Sequence, residues 1–107
     1  MKKDLNICLL LDYYGALLTE KQRRCLGFYY NEDLSLSEIA EIIGGTRQAA
    51  QELIRRAEGR LNQMEQQLQL VQRHNAQRRL VTAALAELKA GNTAEAANYL
   101  SQLENQL

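Results

Sequence analysis

Apolar residues recur along this chain at three- and four-residue spacing, and where the spacing lapses the sequence supplies capping residues or glycine. The densest set of such signals lies in residues 34–61, LSLSEIAEIIGGTRQAAQELIRRAEGRL. Ser35 is placed to cap a helix, with Glu38 three residues on able to reach back to it and Leu34 set to staple against Ile39. Ile39, Ile42 and Ile43 form an apolar stripe, and Ala40 is small enough for a second helix to cross closely. Gly44 and Gly45 end this helix, because glycine enters the left-handed conformation without steric cost, and Thr46 caps the next. In that second helix Ala50, Leu53, Ile54, Ala57 and Leu61 share one face, while Gln48, Gln51, Glu52 and Arg55 share the other. Two short capped helices joined by a glycine turn predict a helix-turn-helix.

The flanking segments are helical in pattern as well. Residues 5–18 are apolar on more than one side, with Asp4 as the cap, and their adjacent Tyr13 and Tyr14 are assigned to packing. Thr19 and Gln22 form a second capping box, opening a helix over residues 20–30 whose Lys21, Arg23 and Arg24 make one side basic. Gly27 in its middle predicts a close approach by another backbone, that of the helix beginning at Ser35. Beyond the motif, Leu61, Met64, Leu68 and Val71 continue a coiled-coil-like seam, so the second helix of the motif is expected to run on and to bury that seam against residues 5–18 or a second copy. Arg73, His74, Asn75, Gln77, Arg78 and Arg79 interrupt it, either as continued exposed helix or as a hinge. Residues 80–89 then form a helix ended by Gly91, and Asn92 or Thr93 caps the last, with Glu95 spaced to close the cap on Asn92. Ala96, Ala97, Leu100, Leu103 and Leu107 are expected to face back, giving an antiparallel hairpin.

The predicted fold is therefore all-α. Residues 1–74 form a helix-turn-helix domain, winged-helix-like, with a three- to four-helix core and a long third helix. Residues 75–107 form a C-terminal hairpin. A single hairpin buries too little alone, so it is expected to dock on its own domain or on a dimer mate. Composition agrees: among 107 residues there is no proline, and Leu, Ala, Glu, Gln and Arg dominate over β-branched residues.

Charge complicates the functional picture. Thirteen basic and thirteen acidic residues cancel, a poor match to the basic footprint of a self-sufficient nucleic-acid binder. Within residues 46–61, however, Arg47, Arg55, Arg56 and Arg60 face only Glu52 and Glu58. The positive excess sits where a groove-reading helix needs it, and that helix's outward side chains are of the types that read base edges or hold phosphates. Cys8 and Cys25 stand far apart in apolar helical contexts and read as buried reduced thiols. A lone histidine among arginines does not suggest a metal site, and no nucleophile–base pair, phosphate loop or acidic cluster calls for an enzyme or a cofactor. No hydrophobic run approaches the roughly 20 residues of a membrane span, and no cleavable signal is evident, so a cytoplasmic location is expected.

The blocks LLTEKQRRCLGFYYNEDLSLSEIAE and TRQAAQELIRR carry a more specific signal. With them, residues 5–74 resemble the YlxM-type helix-turn-helix proteins of bacteria and, at the level of fold, region four of primary-type sigma factors. The resemblance implies that Arg47, Gln48, Gln51, Glu52 and Arg55 read DNA, with Thr46 and Arg56 toward phosphates. It also implies a regulatory role around the signal recognition particle pathway. The chain departs from the family pattern at Gly45, where an apolar residue is usual, and at Ala50, Gln51 and Leu53, where β-branched, aromatic and polar residues are usual. Two functions follow as expectations. One is a DNA-binding regulator acting as a homodimer on two half-sites. The other is an adaptor that contacts the particle, protein or RNA, through the C-terminal helices and the basic stretch at residues 73–79.

Overall fold

The computed structural model describes Asp4 and residues 6–107, and every regular element among them is helical. Leu5, the first apolar residue of the expected N-terminal helix, lies outside the described residues. The chain divides into two compact units, Met1–Gln69 and Leu70–Leu107.

In the first unit, α1 (Asn6–Tyr14) is capped by Asp4, whose carboxylate accepts from the Asn6 N–H at 3.0 Å. It is shorter than residues 5–18 suggested, because the chain tightens into a 3-10 turn over Gly15–Leu17. The Thr19–Gln22 capping box forms and opens α2 (Glu20–Leu26). From Gly27 to Asn31 the helix widens into a π turn, in which the Glu32 N–H donates to the Gly27 carbonyl at 3.1 Å. The close backbone approach expected at Gly27 is absent, since a Cβ there would meet no atom within 4 Å. The glycine instead stands where α-helical geometry gives way. The Ser35–Glu38 box then opens α3 (Leu36–Ile43), and α4 runs from Arg47 to Leu68.

α4 packs against α1, α2 and α3 and forms the spine of this unit. Its Ala50, Ile54, Ala57 and Leu61 are fully enclosed, and the buried set also takes in Ile7, Leu10 and Tyr14 of α1, Cys25 and Leu26 of α2, and Ile39 of α3. The two thiols differ: Cys25 is buried, which raises its pKa above the ordinary value, whereas Cys8 is half-buried. Of the tyrosine pair, Tyr14 is core and Tyr13 remains at the surface.

Two tyrosines also tie the N-terminal helices to α4 through hydrogen bonds. The Tyr14 hydroxyl donates to Glu65 Oε1 at 2.6 Å, and the Tyr30 hydroxyl donates to Glu58 Oε1. The Asp4 N–H donates in turn to the Tyr30 oxygen at 3.4 Å. Burial first, and the Glu58 carboxylate second, push the Tyr30 phenol far above its ordinary value. A group whose folded-state pKa is raised keeps its full contribution below the unfolded value and loses it as pH rises beyond. The first unit is therefore expected to lose stability above about pH 10, the ordinary tyrosine value. Tyr30→Phe should flatten that loss in thermal unfolding followed between about pH 8 and 11.

The helix of the motif does not run on without a stop. α4 ends at Leu68, where Gln69 adopts a left-handed conformation with φ 57°. The expected seam is correspondingly divided. Leu61 and Met64 are buried, Leu68 is exposed, and Val71 belongs to the second unit. Leu61 and Met64 are thus not available to a second copy.

The second unit is a hairpin of α5 (Leu70–Lys89) and α6 (Thr93–Gln106), which pack against each other. The basic stretch at residues 73–79 is continuous helix within α5, so the first arm begins ten residues before Leu80 and crosses the boundary expected at residues 74–75. Gly91, with φ 84°, makes the turn, and the Asn92 N–H donates to the Glu87 carbonyl at 2.8 Å in a Schellman closure. Asn92 does precede α6, but its side chain turns back to donate to Glu87 Oε2 at 2.8 Å, so the expected box with Glu95 does not form. Ala96 is buried, whereas Ala97, Leu100 and Leu107 are exposed.

Candidate nucleic-acid interface

The turn between α3 and α4 is built by its glycines. Gly44 has φ 77°, and the N–H groups of Gly44 and Gly45 both donate to the Ala40 carbonyl at 2.9 Å. This is a Schellman closure, and the left-handed residue it requires is the reason for glycine at position 44. Gly45 has no such requirement, and a Cβ there would rest against Ala49 Cβ at 3.7 Å, an ordinary contact. The Cβ of the apolar residue that the family resemblance leads one to expect at this position would therefore be accommodated.

Thr46 caps α4 by accepting from the Ala49 N–H at 3.0 Å. The first turn of α4 thus starts abruptly from a sharp bend, with unpaired backbone N–H groups and the positive end of the helix dipole at the surface. Thr46, Arg47 and Gln48 are exposed there, and Arg47 has no ion-pair partner among the described residues. One turn on, Gln51 and Glu52 are half-buried rather than fully outward, and Arg55 and Arg56 are exposed. The seven residues singled out from the sequence lie together on the first three turns of α4: Gln48, Gln51, Glu52, Arg55 and Arg56 point away from the buried Ala50, Ile54 and Ala57, whereas Thr46 and Arg47 share their side of the helix and are exposed at its first turn.

Their electrostatics could not be read from spacing alone. Glu52 Oε2 accepts from Arg55 Nε at 3.0 Å, and Glu52 Oε1 accepts from Arg55 Nη2 at 2.8 Å and from Arg56 Nε at 3.0 Å. These hydrogen bonds, that of Arg55 foremost, hold the Glu52 carboxyl below the usual carboxylate range, and they raise the Arg55 guanidinium. Two of the helix's four arginines are therefore occupied by its own glutamate. Ion pairs this exposed are weak and exchangeable, so phosphate oxygens can compete for the same guanidinium groups.

Other residues join the surface from outside the motif. Lys21 of α2 lines an open groove with Gly44, Gly45, Leu53 and Arg56, so a basic side chain of α2 and one of α4 flank the turn. Leu53, expected in the core, is half-buried at this groove, and Ile42, expected in the stripe of α3, is 49% exposed beside Lys21 and Arg24. Arg24 lies over the Phe28 ring at 5.6 Å, a cation–π arrangement that fixes the side chain. The sequence marked Lys21 and Arg24 as basic, but only the crossing of α2 and α4 decides that Lys21 reaches the turn. Among the described residues no cluster of His, Cys, Asp and Glu could hold a metal ion, and no helix is long and apolar enough to cross a membrane.

Comparison with known proteins agrees with this architecture. Residues 1–101 match the family UPF0122, described as "Putative helix-turn-helix protein, YlxM / p13 like". A UPF0122 protein of Symbiobacterium thermophilum is 43% identical over 103 residues, covering 96% of either chain. One from Clostridium perfringens is 44% identical over 88 residues, 82% of this chain and 79% of its own. One from Shouchella clausii is 39% identical over 100 residues, 94% of this chain and 92% of its own. The chain belongs to the UPF0122 family of helix-turn-helix proteins.

Proposed function

We propose that this UPF0122 member is a cytoplasmic, non-enzymatic regulator that binds duplex DNA through the N-terminal turns of α4. The observation that carries the reading is the exposure of Arg47 and Gln48 in a first turn that leaves a sharp, glycine-built bend, while Ala50, Ile54 and Ala57 further along anchor the helix in the core. A recognition helix inserted into the major groove by its N-terminus needs that presentation. Arg47 and Gln48 are suited to base edges, Gln51 to the groove edge, and Thr46, Arg55 and Arg56 to phosphates. Lys21 extends the phosphate contact across α2. Two copies would read half-sites about one helical turn apart.

Arg47→Ala and Gln48→Ala are each expected to weaken retardation of a specific duplex by roughly 5- to 150-fold, the range for loss of one good base contact. The thermal transition should be unmoved, since both side chains are exposed. Failure to retard any duplex from the gene's own neighbourhood at low salt, where the phosphate contribution is greatest, would defeat the reading.

A second reading is supported by the continuous basic α5. Asn75, Arg78, Arg79 and Thr82 line an open groove in the second unit, suited to an acidic partner. The candidate raised by the family resemblance is the signal recognition particle, through its protein or its RNA. A pull-down with purified particle that recovers nothing would exclude it.

A further inference from the structure

An apolar surface without a partner lies on the hairpin. Val81, Leu85 and Leu88 follow one another at four- and three-residue spacing along α5 and share a face. Leu100, Leu103 and Leu107 do the same along α6. Leu85, Leu88 and Leu100 are 51%, 49% and 46% exposed, which is unusual for leucines repeated in register on two adjoining helices. Val81, Leu85, Leu103 and Leu107 line one groove of about 490 Å³ between α5 and α6, so the two stripes form a single surface.

The charges bordering this surface indicate what covers it. Arg78 lines the groove from α5, and Glu104 follows Leu100 by four residues on α6. Arg78 stands eleven residues before Lys89, the end of α5, and Glu104 eleven after Thr93, the start of α6. In an antiparallel hairpin the two are therefore level, one on each arm. A copy turned about a two-fold axis along the helices lays α5 of one hairpin over α6 of the other. That brings the Arg78 edge of each copy to the Glu104 edge of its mate, twice, with the leucines between them. This self-complementarity, acidic edge to basic edge across an apolar centre, is what an isologous interface requires. Burial of Leu61 and Met64 in the first unit removes the α4 seam as the alternative surface.

We propose that the chain forms a two-fold homodimer through the Val81–Leu85–Leu88 and Leu100–Leu103–Leu107 stripes of the α5–α6 hairpin, with Arg78 of each copy paired to Glu104 of the other. The product is a four-helix bundle. It supplies the two-copy part of the proposed DNA reading, and it is tested without DNA so that either can fail alone.

Sedimentation equilibrium of the full chain over a concentration series is expected to give twice the 12.2 kDa of one chain. Leu85→Lys, at an exposed position, should give monomers with unchanged helicity by circular dichroism. Arg78→Glu and Glu104→Arg should each raise the dimer dissociation constant about tenfold or more, and the double exchange should restore it to within about threefold. A wild-type chain that stays monomeric at every concentration overturns the proposal, the face then being covered by the chain's own first unit or by a foreign partner. Dimers that are indifferent to Leu85→Lys, or charge exchanges whose effects add rather than cancel, overturn it equally.

Discussion

Ile54→Ala is expected to lower the stability of the first unit by about 2–5 kcal/mol, read as a shift of the urea midpoint in the full chain. Ile54 is completely enclosed, and it sits on the helix against which α1, α2 and α3 all pack. Truncation removes three methyl or methylene carbons and leaves a cavity that rigid helices on three sides cannot collapse to fill. For a domain whose total stability is about 5–15 kcal/mol, that is a large fraction. Leu53→Ala, one residue earlier but half-buried at the groove, should cost about 1 kcal/mol or less. A comparable loss at both positions would mean that the first unit is not organised around α4 in the way described.

Glu52→Gln is expected to have the opposite sign in function, strengthening DNA binding. In the free protein the Glu52 carboxylate holds both Arg55 and Arg56, and in a complex it would stand close to the phosphates those arginines are proposed to contact. The amide removes a like charge from the path of the DNA and releases two guanidinium groups, while keeping nearly the same shape. If both then engage phosphate, the slope of log affinity against log salt should steepen by about 1.8, from about 0.9 for each neutralised phosphate. Affinity should rise about 10-fold or more at low salt. Discrimination between duplexes should fall, because the gain is independent of sequence. Fluorescence anisotropy across a salt series separates the two effects. An unchanged slope would place Arg55 and Arg56 away from the phosphate backbone.

Much of the architecture was open to reading without coordinates, for a local reason. A capping box is satisfied within four residues, so Thr19 with Gln22 and Ser35 with Glu38 specify their helix starts wherever the rest of the chain lies. The same holds for Gly44 and Gly91, whose positive φ angles end α3 and make the hairpin turn. Where local chemistry offered two solutions, spacing misled. Asn92 was suited to cap α6, but Glu87 across the turn offered its amide a closer partner. Gly27 suggested a backbone crossing and instead marks a π turn. The seam through Leu61, Met64, Leu68 and Val71 looked continuous because periodicity does not register a single left-handed residue such as Gln69.

The sequence by itself determined the all-helical class, the Thr19, Ser35 and Thr46 caps, the glycine-built turn and the helix start that carries Thr46, Arg47, Gln48, Gln51, Glu52, Arg55 and Arg56, since each depends on residues no more than a turn or two apart. Only the tertiary structure decided how those elements are used. It set Tyr14 on Glu65 and Tyr30 on Glu58, brought Lys21 to the turn, left Ile42 outside and Leu61 inside, and exposed the leucines of the hairpin. Those outcomes depend on which faces meet across separations of tens of residues. A helical stripe is equally apolar whether its partner is the next helix, a distant one or a second copy of the chain.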